Sequence, residues 1–411
     1  MSINVKQLGA IGDGLRHPLS ERFSSLDAAR AEYGDDVDLP DQLDWAAIRK
    51  AIRSSRQRLS FGWDLAGTVL LPPGEYLLNR QTDITGLRGL IFTGEGQSTV
   101  LHWVGPPDGT IYLLTDCEAC RFQDFWLLAL SGESFKWAFR TQRHTGQWTP
   151  QRNVWQDVRI GGFSTRVYDA AFRLDMQGAG GDANNDQHRF VRCDVSGYRE
   201  AAWYVLGSQI HALSFIDCCM SGDGGAKYGV WCEYGAFIHW LNGTGGAHAE
   251  ADFCLQNFRL VNTIQGWNSE NSTRLLQCGP PGTFNCNPGA VMLQGCRWDG
   301  YPPPDGYVIY GTNPGVLNCQ SNNVLGISGP NPLVFWGTWC VGGDPGQGKG
   351  AVIHSGNFYR GQQAYTEPAL VLSPVNNPFV PVWDVVDNGN LYWNPLTNLC
   401  ESFSLENIQV K

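Results

Sequence analysis

Two segments in the middle of the chain decide the fold class. They read Phe190-Val-Arg-Cys-Asp-Val-Ser-Gly197 and Phe215-Ile-Asp-Cys-Cys-Met-Ser-Gly222, and Trp240 continues the same spacing of 25 residues. A repeat of about 20 to 30 residues that carries short strands is one coil of a parallel β-helix, in which stacked coils share one core. The sequence therefore predicts an all-β fold, a single-stranded right-handed parallel β-helix (a solenoid).

Later segments keep the same order of apolar and turn residues. Leu260-Val-Asn-Thr-Ile-Gln-Gly266 and Leu293-Gln-Gly-Cys-Arg-Trp-Asp-Gly300 repeat it with a different spacing. Helical periodicity disappears beyond about residue 85, where short apolar runs alternate with Gly, Asn, Asp and Ser. We therefore predict one continuous β-helix domain over residues 86–411, after an N-terminal section over residues 1–85 that holds a cap and the first coils.

The cap is predicted from a helical segment near the start of the chain. Within residues 44–52, the side chains of Trp45, Ile48 and Ile52 fall on one face of a helix. Asp44 is well placed as the N-cap residue. Such an amphipathic helix would cover the open end of the first coil.

The composition excludes several classes of protein. The chain has 39 acidic and 29 basic side chains and a formal charge of -10, so it lacks the basic surface that nucleic acid requires. Its 50 glycines, 12% aromatic residues and 17% charged residues exclude a disordered chain. No apolar run is long enough to span a membrane, and the N-terminus does not resemble a secretion signal. We expect a cytoplasmic or virion-associated protein, or a secreted one whose signal has been removed.

Several of the 13 cysteines recur in an apolar-x-x-Cys pattern. A buried cysteine behaves as a small apolar residue, so this pattern favours a stack of thiols in the core. Cys117-Glu-Ala-Cys120 has the spacing of zinc ligands, but no second pair of ligands completes the site. We therefore predict no metal there.

Four stretches of the first hundred residues carry a resemblance to a known family. They are Ile3–Gly14 with its Gly-Asp-Gly, Asp44–Ile52, Gly67–Tyr76 with its Pro-Pro-Gly turn, and Gly94-Glu-Gly-Gln-Ser-Thr-Val-Leu101. The chain resembles the pectate-lyase-like superfamily, which includes pectate lyase 3, enzymes related to glycoside hydrolase 28 and phage tailspike depolymerases. It departs from the family pattern by an insertion of about 30 residues between Leu15 and Leu43.

The resemblance implies a right-handed parallel β-helix that acts on polysaccharide, and a homotrimer as in the phage members. It implies no catalytic mechanism, because the shared motifs are turns and caps. The catalytic motifs of polygalacturonases are missing, since Asn262-Thr263 is followed by Ile264 and not by Asp.

Paired carboxylates in the middle coils are the candidate catalytic groups. Glycoside hydrolysis uses two carboxyl groups about 5 Å apart for retention or about 6.5 to 9.5 Å apart for inversion, which matches one or two coil rises of about 4.8 Å. Asp252 and Glu270 are the predicted pair, because they lie 18 residues apart, a little less than one coil. Asp223 and Asp299 are the nearest substitutes. The sequence thus predicts a glycoside hydrolase.

Aromatic and polar residues around these carboxylates are the candidate substrate-binding groups. Trp267 is the predicted sugar platform, because its apolar ring lies three residues before Glu270. The other candidates are Arg274, His248, Tyr228, Lys227, Glu233, Trp298 and Tyr301.

Two other functions fit the same coils. A polysaccharide lyase would use a Lys, His, Arg or Tyr base, for which Lys227, His239, His248, Arg274 and Tyr228 are available. A non-catalytic glycan-binding or phage tail structural protein is the other alternative. No cofactor is predicted, although Asp182, Asn184, Asn185 and Asp186 supply oxygen atoms of the kind that calcium binds.

Overall fold

The computed structural model divides into two compact units, Met1–Arg199 and Glu200–Lys411. It describes residues 2–58, 64–143, 150–162, 168–175, 185–207, 210–234, 237–256, 260–279, 289–311, 316–338, 351–365, 369–374 and 384–402. The single domain over residues 86–411 stays a prediction.

The first unit opens with the predicted cap. Helix α1 spans Leu26–Tyr33 and helix α2 spans Leu43–Ser54. Short 3-10 helices occur at Val5–Leu8, Leu19–Glu21 and Gly96–Ser98. Helix α2 confirms the predicted helix, whereas α1 lies in the inserted segment and was not predicted. Neither helix, nor any other in the described ranges, is long and apolar enough to cross a membrane.

Asp44 joins α2 to the first coil and is not the N-cap, which is Gln42. Its buried carboxylate accepts hydrogen bonds from the backbone N–H groups of Ile11 (2.7 Å), Gly12 (3.1 Å) and Leu77 (3.0 Å). Burial raises the pKa of Asp44, and these three donors oppose that rise. The residue that was predicted to begin the helix therefore attaches the helix to the strands.

Among the described residues, the strands of the first unit form parallel ladders except for β2 and β3, which pair antiparallel. In chain order they are β1 Ser2–Asn4, β2 Arg56–Arg58, β3 Asp64–Ala66, β4 Thr68–Leu70, β5 Gly74–Leu78, β6 Thr82–Thr85, β7 Ile91–Thr93, β8 Thr99–Trp103, β9 Thr110–Thr115, β10 Arg121–Ala129, β11 Trp137–Gln142, β12 Val154–Gly162, β13 Tyr168–Asp175, β14 Arg189–Val191 and β15 Asp194–Ser196, and β16 Tyr198–Leu206 contains the division between the units.

The core of the first unit is a stack of inward side chains at matching register. One ladder aligns Ile3, Val69, Phe92, Phe122, Trp155 and Phe190, all of them buried. The ring centroids of Phe122 and Trp155 are 5.8 Å apart and those of Trp155 and Phe190 are 5.0 Å apart, in stacked geometry. Each coil therefore buries its apolar face against the next coil, as a parallel β-helix requires.

The second unit continues with parallel ladders and ends in the antiparallel pair β32–β33. Its strands are β17 Leu213–Tyr234, β18 Ile238–Leu255, β19 Val261–Gln265, β20 Asn268–Glu270, β21 Leu276–Cys278, β22 Ala290–Gln294, β23 Arg297–Gly300, β24 Tyr307–Gly311, β25 Val316–Gln320, β26 Asn323–Gly326, β27 Leu333–Thr338, β28 Ala351–Ser355, β29 Phe358–Arg360, β30 Leu370–Pro374, β31 Asp384–Asn388, β32 Leu391–Asn394 and β33 Leu399–Glu401.

One inward ladder of this unit aligns equivalent residues of seven strands. They are Phe215, Trp240, Ile264, Leu293, Cys319, His354 and Asp387. The registered parallel ladders of both units confirm the predicted fold class, a parallel β-helix.

A column of left-handed residues recurs at one aligned position of successive coils, within a strand in some coils and directly after it in others. In the first unit the column contains Asp124, Asp157 and Arg192, with φ of 61°, 53° and 49°. In the second unit it contains Asp217, Asn242, Gly266, Gly295, Ser321, Gly356 and Gly389. Gly, Asn and Asp tolerate this backbone conformation best, which explains their regular occurrence in the sequence. We call these residues the left-handed turn column.

Residues directly after this column point inward. Cys193, Cys218 and Cys296 occupy that position and are buried, so the repeated cysteines are core residues. Cys117 and Cys120 are buried as well, with their thiols directed at the carbonyl oxygens of Ile84 (3.1 Å) and Leu87 (3.5 Å).

Candidate functional site

Glu270 and Asp299 lie side by side on the outer surface of the second unit. Strands β20 and β23 pair in parallel, with Ser269 opposite Trp298 and Glu270 opposite Asp299. Ser269 and Trp298 are buried, so the alternation of a strand directs Glu270 and Asp299 outward. The two residues are therefore one strand spacing apart, about 4.8 Å.

Asp299 is held in place by its neighbours. Its carboxylate forms an ion pair with Arg297, with 3.0 Å between Nη2 and Oδ2. Its carbonyl oxygen accepts a hydrogen bond from the N–H group of Asn271 (2.7 Å), which has a φ of 62° and ends the strand of Glu270. Glu270 is exposed and forms no ion pair with the described residues. The pair therefore combines a fixed carboxylate with a free one.

A cleft of about 600 Å³ begins at Asp299. Its other lining residues are Leu325, Gly326, Ile327, Arg360, Gly361, Gln362, Trp393 and Pro395. The guanidinium carbon of Arg360 lies 5.4 Å from the ring centroid of Trp393. An aromatic ring, a cation and a carboxylate thus line one open groove, which is a suitable surface for a ring with polar substituents.

Asp252 lies inside the solenoid and does not face Glu270. Its side chain is fully buried, and Oδ2 accepts a hydrogen bond from Trp267 Nε1 (3.0 Å). Oδ1 lies 2.7 Å from His248 Nδ1 and accepts a hydrogen bond from Ser272 Oγ. A carboxylate without exposed surface cannot contact a polymer outside the solenoid. The structure therefore does not bring Asp252 and Glu270 together as a catalytic pair.

The predicted aromatic platform is also a core residue. Trp267 directly follows Gly266 of the left-handed turn column, so its ring points inward and packs 5.3 Å from Trp240. Trp298 is buried in β23, whereas Tyr301 is 47% exposed just after it. Of these predicted aromatic residues, only Tyr301 is on the surface.

The remaining predicted residues of the second unit are engaged by other partners. Arg274 forms an ion pair with Asp305 at 2.9 Å, and Lys227 forms one with Glu200 at 2.8 Å. Glu233 accepts a hydrogen bond from the Tyr204 hydroxyl at 2.8 Å. His248 is buried beside Asp252.

Tyr228 and Asp223 lie on β17. The ring of Tyr228 packs 5.4 Å from that of Trp231, and burial raises the pKa of Tyr228. Asp223 is exposed, has a φ of 48° and accepts a hydrogen bond from Ser221 Oγ at 3.0 Å. Neither residue shares the register of Glu270 and Asp299.

The predicted calcium ligands are only partly described. Asp182 and Asn184 lie outside the described residues. The amide of Asn185 is buried and bonded to His188 and Thr141, and Asp186 pairs with Gln151 as a β-bridge. Calcium binding at this segment stays a prediction.

The sequence interpretation missed a second outward cleft, of about 250 Å³, in the first unit. It is lined by Gly96, Gln97, Trp126, Asp157, Val158, Arg159, Arg192 and Asp194. Three sequence segments supply most of this cleft, and the strand register aligns them with one another. They are Gln123-Asp-Phe-Trp126, Gln156-Asp-Val-Arg159 and Val191-Arg-Cys-Asp194.

Comparisons with known proteins returned structural matches alone. No protein-family model matches the chain, and no curated protein matches it significantly. The tailspike gp61 of Pseudomonas phage phi297 aligns at 14% identity over 95% of this chain and 80% of its own, with a TM-score of 0.48. The endo-xylogalacturonan hydrolase of Aspergillus tubingensis aligns at 9% identity over 85% of this chain and 89% of its own, with a TM-score of 0.44. The A-module of the mannuronan C-5 epimerase AlgE6 of Azotobacter vinelandii aligns at 14% identity over 95% of this chain and 96% of its own, with a TM-score of 0.43.

Proposed function

We propose that this protein hydrolyses glycosidic bonds of a polysaccharide and that Glu270 and Asp299 are its catalytic carboxylates. The observation that carries the proposal is their common register on adjacent coils, with both side chains directed outward. The resemblance of the first hundred residues to polysaccharide-degrading β-helix proteins supports the class of substrate. The cleft that begins at Asp299 offers space for the sugar chain.

The spacing of the pair favours hydrolysis with retention. The backbones of the pair are one coil rise of about 4.8 Å apart, so parallel side chains would hold their carboxyl groups near the separation of about 5 to 5.5 Å found in retaining glycosidases. Asp299, oriented by Arg297, would attack the anomeric carbon while Glu270 donates a proton to the departing oxygen. In the second step Glu270 takes a proton from water, and the resulting hydroxide displaces Asp299 from the sugar.

The lyase alternative has weaker support. Of its candidate bases, Lys227 and Arg274 are held by Glu200 and Asp305 and His248 is buried, whereas His239 is exposed. A lyase would produce an unsaturated uronate, which absorbs ultraviolet light, whereas hydrolysis produces no such chromophore. Binding to a polysaccharide without new reducing ends would instead identify a non-catalytic glycan-binding protein.

Substitution of the two carboxylates tests the proposal. We expect Glu270→Gln and Asp299→Asn each to lower the rate of reducing-end release by about 10³-fold, because each removes a group that acts in the transition state. The assay would use a broad panel of polysaccharides that includes polymannuronate and xylogalacturonan. Glu250→Gln, an exposed carboxylate on β18, is the charge-matched control. Rates equal to wild type in both folded variants would contradict the assignment.

A further inference from the structure

The outer surface of the first unit carries a compact array of charged side chains around a tryptophan. Asp124, Asp157 and Arg192 follow one another in the left-handed turn column, on three consecutive coils. Two residues after each of them come Trp126, Arg159 and Asp194, which are also aligned in register. We call these six residues the surface array.

The members of the surface array hold one another in place. Arg192 donates to both carboxylate oxygens of Asp157, from Nε at 2.7 Å and from Nη2 at 2.6 Å. The guanidinium of Arg159 lies 4.6 Å from the ring centroid of Trp126, and its Nε is 3.5 Å from Asp194 Oδ2. Pairs of this kind need little further ordering when a ligand arrives.

These contacts are on the surface and are not part of a buried ion-pair network. Arg192 and Arg159 keep about half of their side chains exposed, at 52% and 43%, and Asp194 keeps 47%. The cleft of about 250 Å³ lies between the array and the turn at Gly96 and Gln97. It is smaller than the pockets of about 300 to 1,000 Å³ that hold drug-sized ligands, so one sugar ring is a suitable occupant.

The carboxyl groups of the array differ in their affinity for protons. Partial burial raises the pKa of Asp194, and burial together with the charge of Asp157 raises the pKa of Asp124. The hydrogen bond from Arg192 lowers the pKa of Asp157. The array therefore presents an ionised acceptor carboxylate at Asp157. Beside it, the carboxyl groups of Asp124 and Asp194 bind a proton more readily.

We propose that the surface array is a second saccharide-binding site, separate from Glu270 and Asp299, and that it takes uncharged sugar rings. Neighbouring hydroxyl groups of a sugar both donate and accept hydrogen bonds, and paired carboxylates and guanidinium groups offer both partners. Trp126 lines the cleft, and the part of its ring that the Arg159 guanidinium does not cover supplies an apolar surface for the C–H groups of the sugar. The array contains three carboxyl groups and two guanidinium groups. It therefore has no excess positive charge that would attract an anionic sugar.

The indole N–H signal of Trp126 in a nitrogen-15 NMR spectrum provides a direct test. The signal is assigned as the one missing from Trp126→Phe, and the intact remainder of that spectrum shows that the variant folds. The probes are the methyl glycosides of glucose, galactose, mannose and xylose, titrated separately to high millimolar concentration. We expect a saturable shift of the Trp126 signal with at least one of them. Methyl glucuronide should bind more weakly than the glycoside that shifts it most.

Matched controls separate a site from general solvent effects. Trp137 is half-buried and also lies beside arginines, with Arg173 at 4.3 Å from its ring centroid, so its signal should not move. Asp157→Asn should weaken the binding at Trp126 by about tenfold, because it replaces a charged acceptor. Glu270→Gln should leave the binding unchanged, so the failure of one proposal is distinguishable from the failure of the other.

Three results would overturn the proposal. They are the absence of a Trp126 shift with all four glycosides, an equal shift of Trp137, and a preference for methyl glucuronide over the uncharged sugars. If Asp157→Asn binds the glycoside as tightly as wild type, the surface array does not form the site, even where the Trp126 signal shifts.

Discussion

At the scale of single residues, His188 shows how a buried polar group fixes its own protonation state. Its ring is fully buried, and Nδ1 accepts a hydrogen bond from the N–H group of Asn153 at 3.2 Å. Nε2 lies 2.6 Å from Asn185 Oδ1 and donates its proton there. The ring is therefore neutral with its proton on Nε2, and burial lowers the pKa of His188 to about 3.

This histidine makes stability depend on acidity. An unfolded histidine takes up a proton as the pH falls below 6.5, whereas folded His188 does not until about pH 3. Its stabilising contribution is therefore complete above pH 6.5 and is lost as the pH falls toward 3. At about 1.4 kcal/mol for each pH unit, the loss is on the order of 4 to 5 kcal/mol.

His188→Gln should remove this part of the pH dependence. Glutamine retains an acceptor and a donor but does not titrate. The measurement is the free energy of unfolding in denaturant across the range from pH 6.5 to pH 3, with the exposed His239→Gln as the control. This account would be contradicted if the free energy of unfolding fell by the same amount between pH 6.5 and pH 3 in His188→Gln and in wild type.

The residue scale is also where sequence reasoning reached its limit. Glu270 was predicted to pair with Asp252 beside Trp267, and Asp299 was predicted only as a substitute. Which way a side chain points depends on its distance from the left-handed turn residue, and Trp267 comes directly after one at Gly266. Spacing along the chain identified neighbouring coils and could not identify the inner and outer faces.

At the scale of elements, helix α2 shows which part of the cap could be predicted. Apolar periodicity predicted a helix over residues 44–52, and α2 spans Leu43–Ser54. Helix α1 has only eight residues, and its N-cap Ser25 accepts a hydrogen bond from the N–H group of Ala28 at 3.3 Å. A short helix within an insertion offers too few turns for periodicity to stand out.

The attachment of α2 through Asp44 leads to a prediction on stability. Asp44→Ala leaves three N–H groups of the first coils without their carboxylate acceptor, so we expect a loss of about 3 kcal/mol. The raised pKa of Asp44 makes its ionised form less favourable, and Asp44→Asn should therefore cost less than Asp44→Ala. Denaturant unfolding measures both, with the exposed Asp27→Ala of α1 as the control. A loss in Asp44→Ala no greater than that of the control would refute this role.

At the scale of the whole molecule, the repeat pattern predicted the architecture because each coil depends on its neighbour. The spacing between Phe215 and Trp240 corresponds to one registered step of an inward ladder. The division of the chain into two compact units was not predicted, since the composition does not change near residue 199. Assembly into a homotrimer, which the family resemblance implies, stays a prediction.

The function proposed for the molecule depends on the separation of two outward carboxylates by one coil rise. Glu270 and Asp299 are opposite one another in register on β20 and β23. Their backbones are one strand spacing apart, about 4.8 Å, which is nearer to the carboxyl separation of about 5 to 5.5 Å in retaining enzymes than to the roughly 6.5 to 9.5 Å of inverting ones.

The anomeric configuration of the first product tests this claim most directly. Proton NMR would follow the new reducing end during the first minutes of hydrolysis, before mutarotation, on a polymer of the panel that the wild-type protein degrades. We predict that the configuration of the cleaved bond is retained. An inverted first product would contradict the account, because it would require two carboxylates farther apart than Glu270 and Asp299.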